Sequence, residues 1–155
     1  MSQSDAAAGH DRLSRATDKR RVLAEEMADL EEVLARPASA DDWLVRVEGG
    51  LADLRLALDA HIEEVEGADG LLAEIVDMAP RLSGQAEDLR HHHMELLGAW
   101  LRAEATVRAA REEGPAARAL VRRRVVALIG RLTRHRQAGS DLVYEAYNVD
   151  IAASD

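Results

Sequence analysis

Cysteine is absent from the 155-residue chain, which excludes disulfide bonds, thiolate metal ligands and thiol redox chemistry. Long apolar runs are also missing, so no segment approaches the roughly 20 residues that a membrane-spanning helix requires. The first ten residues are small and polar, without the apolar stretch of a signal peptide. We therefore expect a cytoplasmic protein with no membrane partner.

Positive charge is the scarcer sign, because 29 acidic residues outnumber 20 lysines and arginines and give a formal net charge of −9. General nucleic-acid binding requires surplus cations that neutralise phosphates, so we expect no nucleic-acid partner. The sequence also lacks a phosphate-binding glycine loop, a nucleotide motif and a nucleophile–base pair. A dedicated enzyme is therefore not indicated.

Phenylalanine is absent and β-branched residues are sparse, whereas alanine, leucine, arginine and glutamate dominate. This composition favours helix along nearly the whole chain, and the length fits one domain with a substantial core. Long helices with short connections predict an all-α, up-down antiparallel four-helix bundle with a short extra helix between helices 2 and 3. We predict that residues 11–150 form the bundle, residues 1–10 a disordered N-terminal tail and residues 151–155 a C-terminal tail.

Prolines, glycines and serines mark where the predicted helices begin and end. Pro37 ends the first helix, because proline lacks an amide donor and disfavours helix in the preceding residue. Gly114 and Pro115 reverse the chain between the last two helices, and a short apolar segment before Pro80 is interpreted as a lid across one end of the bundle. Ser39, paired with Asp42 in a capping-box pattern, and Ser83 are expected to cap the second and third helices. The predicted long helices run from Asp11 to Arg36, from Ser39 to Glu66, from Ser83 to Glu113 and from Pro115 to Tyr147.

Three of the predicted helices each place one histidine on their apolar face. Apolar residues three or four apart form the face that a helix buries against its partners. An imidazole on that face either finds a hydrogen-bond partner or ligates an ion. The three histidines and the apolar residues that flank them are His61 between Leu58 and Val65, His93 between Leu89 and Leu96, and His135 between Leu132 and Leu142.

Residue counting from the turns predicts that these histidines lie at one height. His93 lies 21 residues before Gly114, and His135 lies 20 residues after Pro115, so the two rings are level to within about 1.5 Å of helical rise. Counting back from the Pro37 turn sets His61 about one turn from Arg20 on the first helix. Three imidazoles in one slice of a bundle indicate a metal site. The alternative is three separate core histidines, each with its own buried partner.

The order of these segments resembles the hemerythrin-like, HHE-type cation-binding family, a four-helix bundle that holds a non-haem iron centre through histidines and carboxylates. The resemblance covers most of the chain, up to about Asp150. It implies reversible binding or sensing of dioxygen, nitric oxide or peroxide, or iron handling. The segments that carry it are Leu58-Asp-Ala-His61, Leu89-Arg-His-His-His93-Met-Glu-Leu-Leu97 and Leu132-Thr-Arg-His135 followed by Leu142-Val-Tyr-Glu145.

The chain departs from that family's pattern at the acidic positions. The family usually places an acid four or five residues after the second- and fourth-helix histidines, where this chain has Val65 and Gly139, with Glu66 one residue further. Its first helix has no histidine and presents Arg20 instead, which opposes a cation unless a carboxylate or a bound anion pairs with it. Gly139 leaves a gap for a water, a small ligand or a close helix.

Four carboxylates are candidate ligands beside the histidines. Glu64 lies about 60° around the helix from His61, and Glu66 requires the end of that helix to unwind. Asp141 and Glu145 form a stripe beside the core of the fourth helix and rank behind the first two by their position around the helix, and an ordinary solvated face is the slightly favoured interpretation of each alone.

Two classes of function remain open at the level of sequence. The first is a hemerythrin-like protein whose bundle core holds non-haem iron, mononuclear or di-iron, or else zinc or manganese, since imidazole and carboxylate suit these metals. Its partners are the metal ion and a small diatomic or peroxide ligand. The second is a structural or protein-interaction bundle, with a homodimer as one form, that has kept the fold and lost the site.

Overall fold

The computed structural model describes residues 3–149, with side chains over 7–148, and these residues form helices without a strand. The long helices α1, α2, α4 and α5 form an antiparallel four-helix bundle, as predicted. Helix α1 packs along α2 and α4 along α5, while α2 also contacts α4 and α1 contacts α5. None of the described helices has the length and apolarity that crossing a bilayer demands. The helices are α1 (Gln3–Ala35), α2 (Trp43–Glu66), α3 (Leu71–Met78), α4 (Ser83–Glu113) and α5 (Pro115–Tyr144).

The predicted short helix is α3, which packs against α1, α2 and α4 at one end of the bundle. Pro80 ends it and begins a 3₁₀ turn, Pro80–Leu82, that leads directly into α4. At the opposite end, Gly114 alone joins α4 to α5 with a φ of 81°, a conformation that favours glycine. A π-helical turn, Glu145–Val149, follows α5.

Helix starts differ most from the predictions. Helix α1 begins at Gln3, so residues 3–10, expected to be a disordered tail, are helical; the alanine run at positions 6–8 favours helix. Residues 1–2 and 150–155, which include the predicted C-terminal tail, lie outside the described residues. Helix α2 begins at Trp43, four residues after Ser39, and neither α2 nor α4 has a side-chain capping bond, so the predicted serine caps do not form.

Hydrogen bonds from arginines of α5 explain why α2 begins later than predicted. Arg118 donates to the carbonyl oxygens of Ala38 and Ala40, and Arg122 donates to that of Arg36. These carbonyls are therefore satisfied without a helical turn. The indole of Trp43, which is fully buried, then donates to the Val33 carbonyl oxygen on α1 and sets the start of α2.

The buried apolar residues form two clusters with a polar layer between them. The larger cluster fills the bundle from the Gly114 turn to Leu58, Leu96 and Leu132, and the smaller one lies beneath α3. On α2, α4 and α5 a histidine stands between the residues of the two clusters. The apolar stripes predicted from spacing are the buried faces, so the helices bring those histidines to the same level of the core.

Candidate metal centre

His61, His93 and His135 meet in the core, as the sequence predicted. They come from α2, α4 and α5 and are at most 4% exposed. The Nε2 atom of His135 lies 3.2 Å from Nε2 of His61 and 3.0 Å from Nε2 of His93. One nitrogen of each ring lies within 4.8 Å of the other two. The three imidazoles therefore converge on one point.

Two of these separations match those between ligands of a shared ion. Metal–nitrogen bonds of about 2.0–2.1 Å place two ligands about 3.3 Å apart at tetrahedral angles and about 2.9 Å apart at right angles. The distances of 3.2 Å to His61 and 3.0 Å to His93 from Nε2 of His135 fall in that range. A cation among the rings would therefore fit beside His135 and would need side-chain adjustments that bring His61 and His93 to a similar separation.

Glu66 determines which nitrogen of His93 faces this point. Its Oε1 lies 2.5 Å from His93 Nδ1, and an ionised carboxylate only accepts hydrogen bonds, so Nδ1 carries the proton. In the neutral ring, Nε2 then has a free lone pair that points at the other histidines. A carboxylate that orients a histidine in this way is the usual support of a metal ligand.

Hydrogen bonding among the rings cannot by itself satisfy all three Nε2 atoms. His135 Nε2 faces two nitrogens, and in the neutral ring it has either one proton or one lone pair. If His135 Nε2 carries a proton and donates it to the lone pair of His93 Nε2, the same proton must also be shared with Nε2 of His61. If His135 Nε2 carries no proton, its lone pair and that of His93 face each other at 3.0 Å. A cation accepts all three lone pairs at once.

Burial keeps these imidazoles neutral. Desolvation, with further lowering by neighbouring histidines and by Arg20, brings the pKa of His61 and of His135 from 6.5 to about 3. Burial also lowers the pKa of His93, although Glu66 opposes the shift. Neutral imidazole is the form that binds metal, so the folded site is prepared for a cation at neutral pH.

Two of the rings lack the support that His93 receives. Nδ1 of His61 and Nδ1 of His135 are buried without a hydrogen-bond partner among the residues whose side chains the structure describes. Buried polar atoms without partners are rare in folded proteins, and each costs about 1–3 kcal/mol. Two unpaired ring nitrogens in one cluster therefore indicate that the arrangement of these rings serves a function and not the stability of the fold.

The carboxylates predicted as ligands do not join the histidines. The group of side chains close enough to share an ion contains the three histidines and none of those acids. Glu66 orients His93 instead of binding directly, and α2 remains helical through Glu66, so the unwinding that ligation by Glu66 requires does not occur. Glu64 pairs with Arg15 at 3.0 Å, Asp141 accepts from Gln137, and Glu145 pairs with Arg81.

A cavity of about 30 Å³ adjoins the histidines and lies beneath α3. Apolar side chains of α3 line it, including Leu72 and Ile75, so α3 covers this end of the bundle as the predicted lid. Gly139 is also in its wall, and a Cβ atom added there would meet nothing within 4 Å. We name this space the histidine cavity. It offers room on the side of the site that the rings leave open.

Two arginines, Arg20 and Arg136, complete the wall of the histidine cavity. Arg20 is half-buried, as its inward position on α1 predicted. Arg136 was missed, because it follows His135 directly and lies off the apolar stripe. The signal that could have found it is the length of the arginine side chain, which reaches around a helix to an adjacent face.

Comparison of the chain with protein-family models, with curated proteins and with solved structures gave no match.

Proposed function

We propose that this protein is a metal-binding helical bundle in which His61, His93 and His135 hold one divalent transition-metal ion. The observation that carries the proposal is the convergence of three buried Nε2 atoms, two pairs of which lie at distances typical of a shared ion. Three imidazoles suit iron, zinc and copper better than manganese, which prefers oxygen ligands. A single ion is favoured over a di-iron pair because, among the described residues, no carboxylate lies in the ligating group to bridge two ions.

Iron with a small ligand is the form of this function that we favour. Three protein ligands leave coordination positions open, and the histidine cavity supplies space for two or three atoms of water size, since one water needs about 10–15 Å³. Dioxygen, nitric oxide and peroxide fit that size. The proposal agrees with the hemerythrin-like resemblance of the sequence, and membership of that family stays a prediction.

A structural bundle without a metal is the second candidate. The observation in its favour is the pair of guanidinium groups at the histidine cavity, because positive charge next to the site opposes a cation. Under this alternative, the histidines are a remnant and the outer helix faces bind another protein or a second copy of the chain.

Metal titration separates the two candidates. The chain is freed of metal with a chelator and titrated with Fe²⁺ without oxygen, and separately with Zn²⁺, before metal analysis of the desalted protein. We expect one ion per chain in the wild type and none after replacement of His61, His93 and His135 by alanine. A control variant lacking the exposed His10 and His91 should bind like the wild type.

The outcome that contradicts the proposal is a folded wild type that retains neither ion. If the triple variant does not fold, the single variant His93→Ala takes its place, with helicity checked by circular dichroism. Its metal affinity should still fall by at least tenfold, because one of three ligands is removed.

A further inference from the structure

Two arginines in the wall of the histidine cavity each have a buried hydrogen-bond donor that no described residue satisfies. Arg20 reaches the cavity from α1 and Arg136 from α5. Arg20 Nη2 donates to Ser140 Oγ at 2.7 Å, but Nε of Arg20 and Nε of Arg136 are buried without a hydrogen-bond partner in the part of the chain that the structure describes. Within residues 7–148, neither arginine forms an ion pair with a carboxylate.

Charge around the site is strongly unbalanced once a metal ion is counted. Arg20 and Arg136 are close enough to repel each other, and both disfavour positive charge on His61. The acid in contact with the histidines is Glu66, and it lies behind His93, hydrogen-bonded to the nitrogen that faces away from the other two rings. A divalent ion would therefore add to two existing positive charges and face a single negative one. Buried charges require partners of opposite sign.

We propose that the histidine cavity binds a small anion between the metal ion and the guanidinium groups of Arg20 and Arg136, and that metal and anion bind cooperatively. This inference rests on the proposed metal site. The anion accepts charge-assisted hydrogen bonds from the free arginine donors, which are about twice as strong as neutral ones. Its negative charge also reduces the repulsion between the metal ion and the two guanidinium groups.

The dimensions of the cavity define the class of anion. A space of about 30 Å³ admits two or three heavy atoms, which selects one-carbon carboxylates and triatomic inorganic anions. Apolar walls formed by Leu72, Ile75 and Leu142 leave no polar contacts for a larger polar group. Formate and nitrite represent the class, whereas sulfonate buffers are too large.

Cooperative binding makes a reciprocal prediction that calorimetry can measure. Co²⁺ serves as an air-stable divalent probe, titrated into metal-free protein with 20 mM sodium formate or with a bulky sulfonate salt at equal ionic strength. We expect formate to raise the Co²⁺ affinity at least tenfold. Because coupling between two ligands is reciprocal, Co²⁺ should raise the formate affinity by the same factor.

Replacing the arginines by methionine keeps their length and removes their charge. In the double variant Arg20→Met/Arg136→Met, formate should change Co²⁺ affinity less than twofold, and affinity without formate should exceed that of the wild type. Arg123→Met is the matched control, since this exposed arginine of α5 lies outside the cavity wall. It should keep the tenfold effect. If the double variant does not fold, the single variant Arg136→Met should show a reduced effect.

Three results count against the inference or its basis. Equal Co²⁺ affinity with and without formate overturns the anion site while leaving the metal site intact. Formate that binds the metal-free protein and is unaffected by Co²⁺ overturns the cooperativity. Absence of Co²⁺ binding in every buffer refutes the proposed function itself.

Discussion

Acid should destabilise the metal-free protein well before its carboxylates protonate. His61 and His135 have a pKa of about 3 when folded, against 6.5 for an ordinary histidine. Below pH 6.5 the unfolded chain therefore takes up protons that the folded chain does not. The contribution of the two histidines to the free energy of unfolding is fully present above pH 6.5 and is lost as the pH falls towards 3. Arg20 and Arg136 reinforce the effect at His61, whereas at His93 Glu66 favours the charged form and acts in the opposite direction.

The size of the effect follows from proton uptake. Each histidine contributes a slope of up to about 1.4 kcal/mol per pH unit. Partial protonation of the unfolded chain near pH 6 reduces this, so the two together cost about 2 kcal/mol between pH 6 and pH 5. That loss is a large part of the roughly 5–15 kcal/mol that stabilises a typical domain.

Urea unfolding with a chelator present, followed by circular dichroism at several pH values, measures this slope. The variant His135→Leu should show about half of it, because burial, the main cause of the shift, persists at His61. The variant His91→Asn changes an exposed histidine and should retain the wild-type slope. A free energy of unfolding that stays constant from pH 6 to pH 5 would refute the buried, neutral state of the histidines.

Three further experiments, which use five variants, test the supports of the site and the helices. Glu66→Gln should weaken Zn²⁺ binding about 10–100-fold through loss of the carboxylate behind His93, whereas Glu64→Gln should leave it unchanged; equal losses in calorimetry would contradict the orienting role. Gly49→Ala should raise the free energy of unfolding by about 1 kcal/mol, because a Cβ there meets open space. Gly50→Ala should gain less, since its Cβ would lie 2.8 Å from a leucine of α1, and equal gains in thermal melts would argue against this packing of α1 on α2. Leu58→Ala, fully buried one turn before His61, should cost about 2–5 kcal/mol in urea unfolding, and a loss below 1 kcal/mol would contradict its position in the core.

The positions of the three histidines could be predicted because they depend on periodicity and on counting from turns. Stripe spacing places His61, His93 and His135 on buried faces, and one tight turn at Gly114 makes the counts to His93 and His135 comparable. These are local properties of helices, whose rise and rotation per residue are nearly constant. The four-helix bundle follows from the same regularity.

The surroundings of the histidines could not be predicted in the same way. Glu66 contacts His93 across 27 positions of sequence, and that contact depends on the angle at which α2 meets α4. Arg136 reaches the histidine cavity through a flexible side chain whose direction no stripe specifies. The start of α2 depends on arginines of α5 that satisfy the carbonyls of a distant loop. Each of these features depends on tertiary packing, so it cannot be predicted from the local spacing of residues.

The single-residue turn at Gly114 restricts how this chain can change length during evolution. An amino acid gained or lost between Gly114 and His135 would swing that imidazole by about 100° and move it about 1.5 Å along the axis. Its counterpart on the other arm, His93, would stay where it was. Insertions and deletions are therefore tolerated only as matched changes of about seven residues in both arms, two full turns each. Descendants of this gene that keep the histidines should conserve the distance between them more strictly than the residues that separate them.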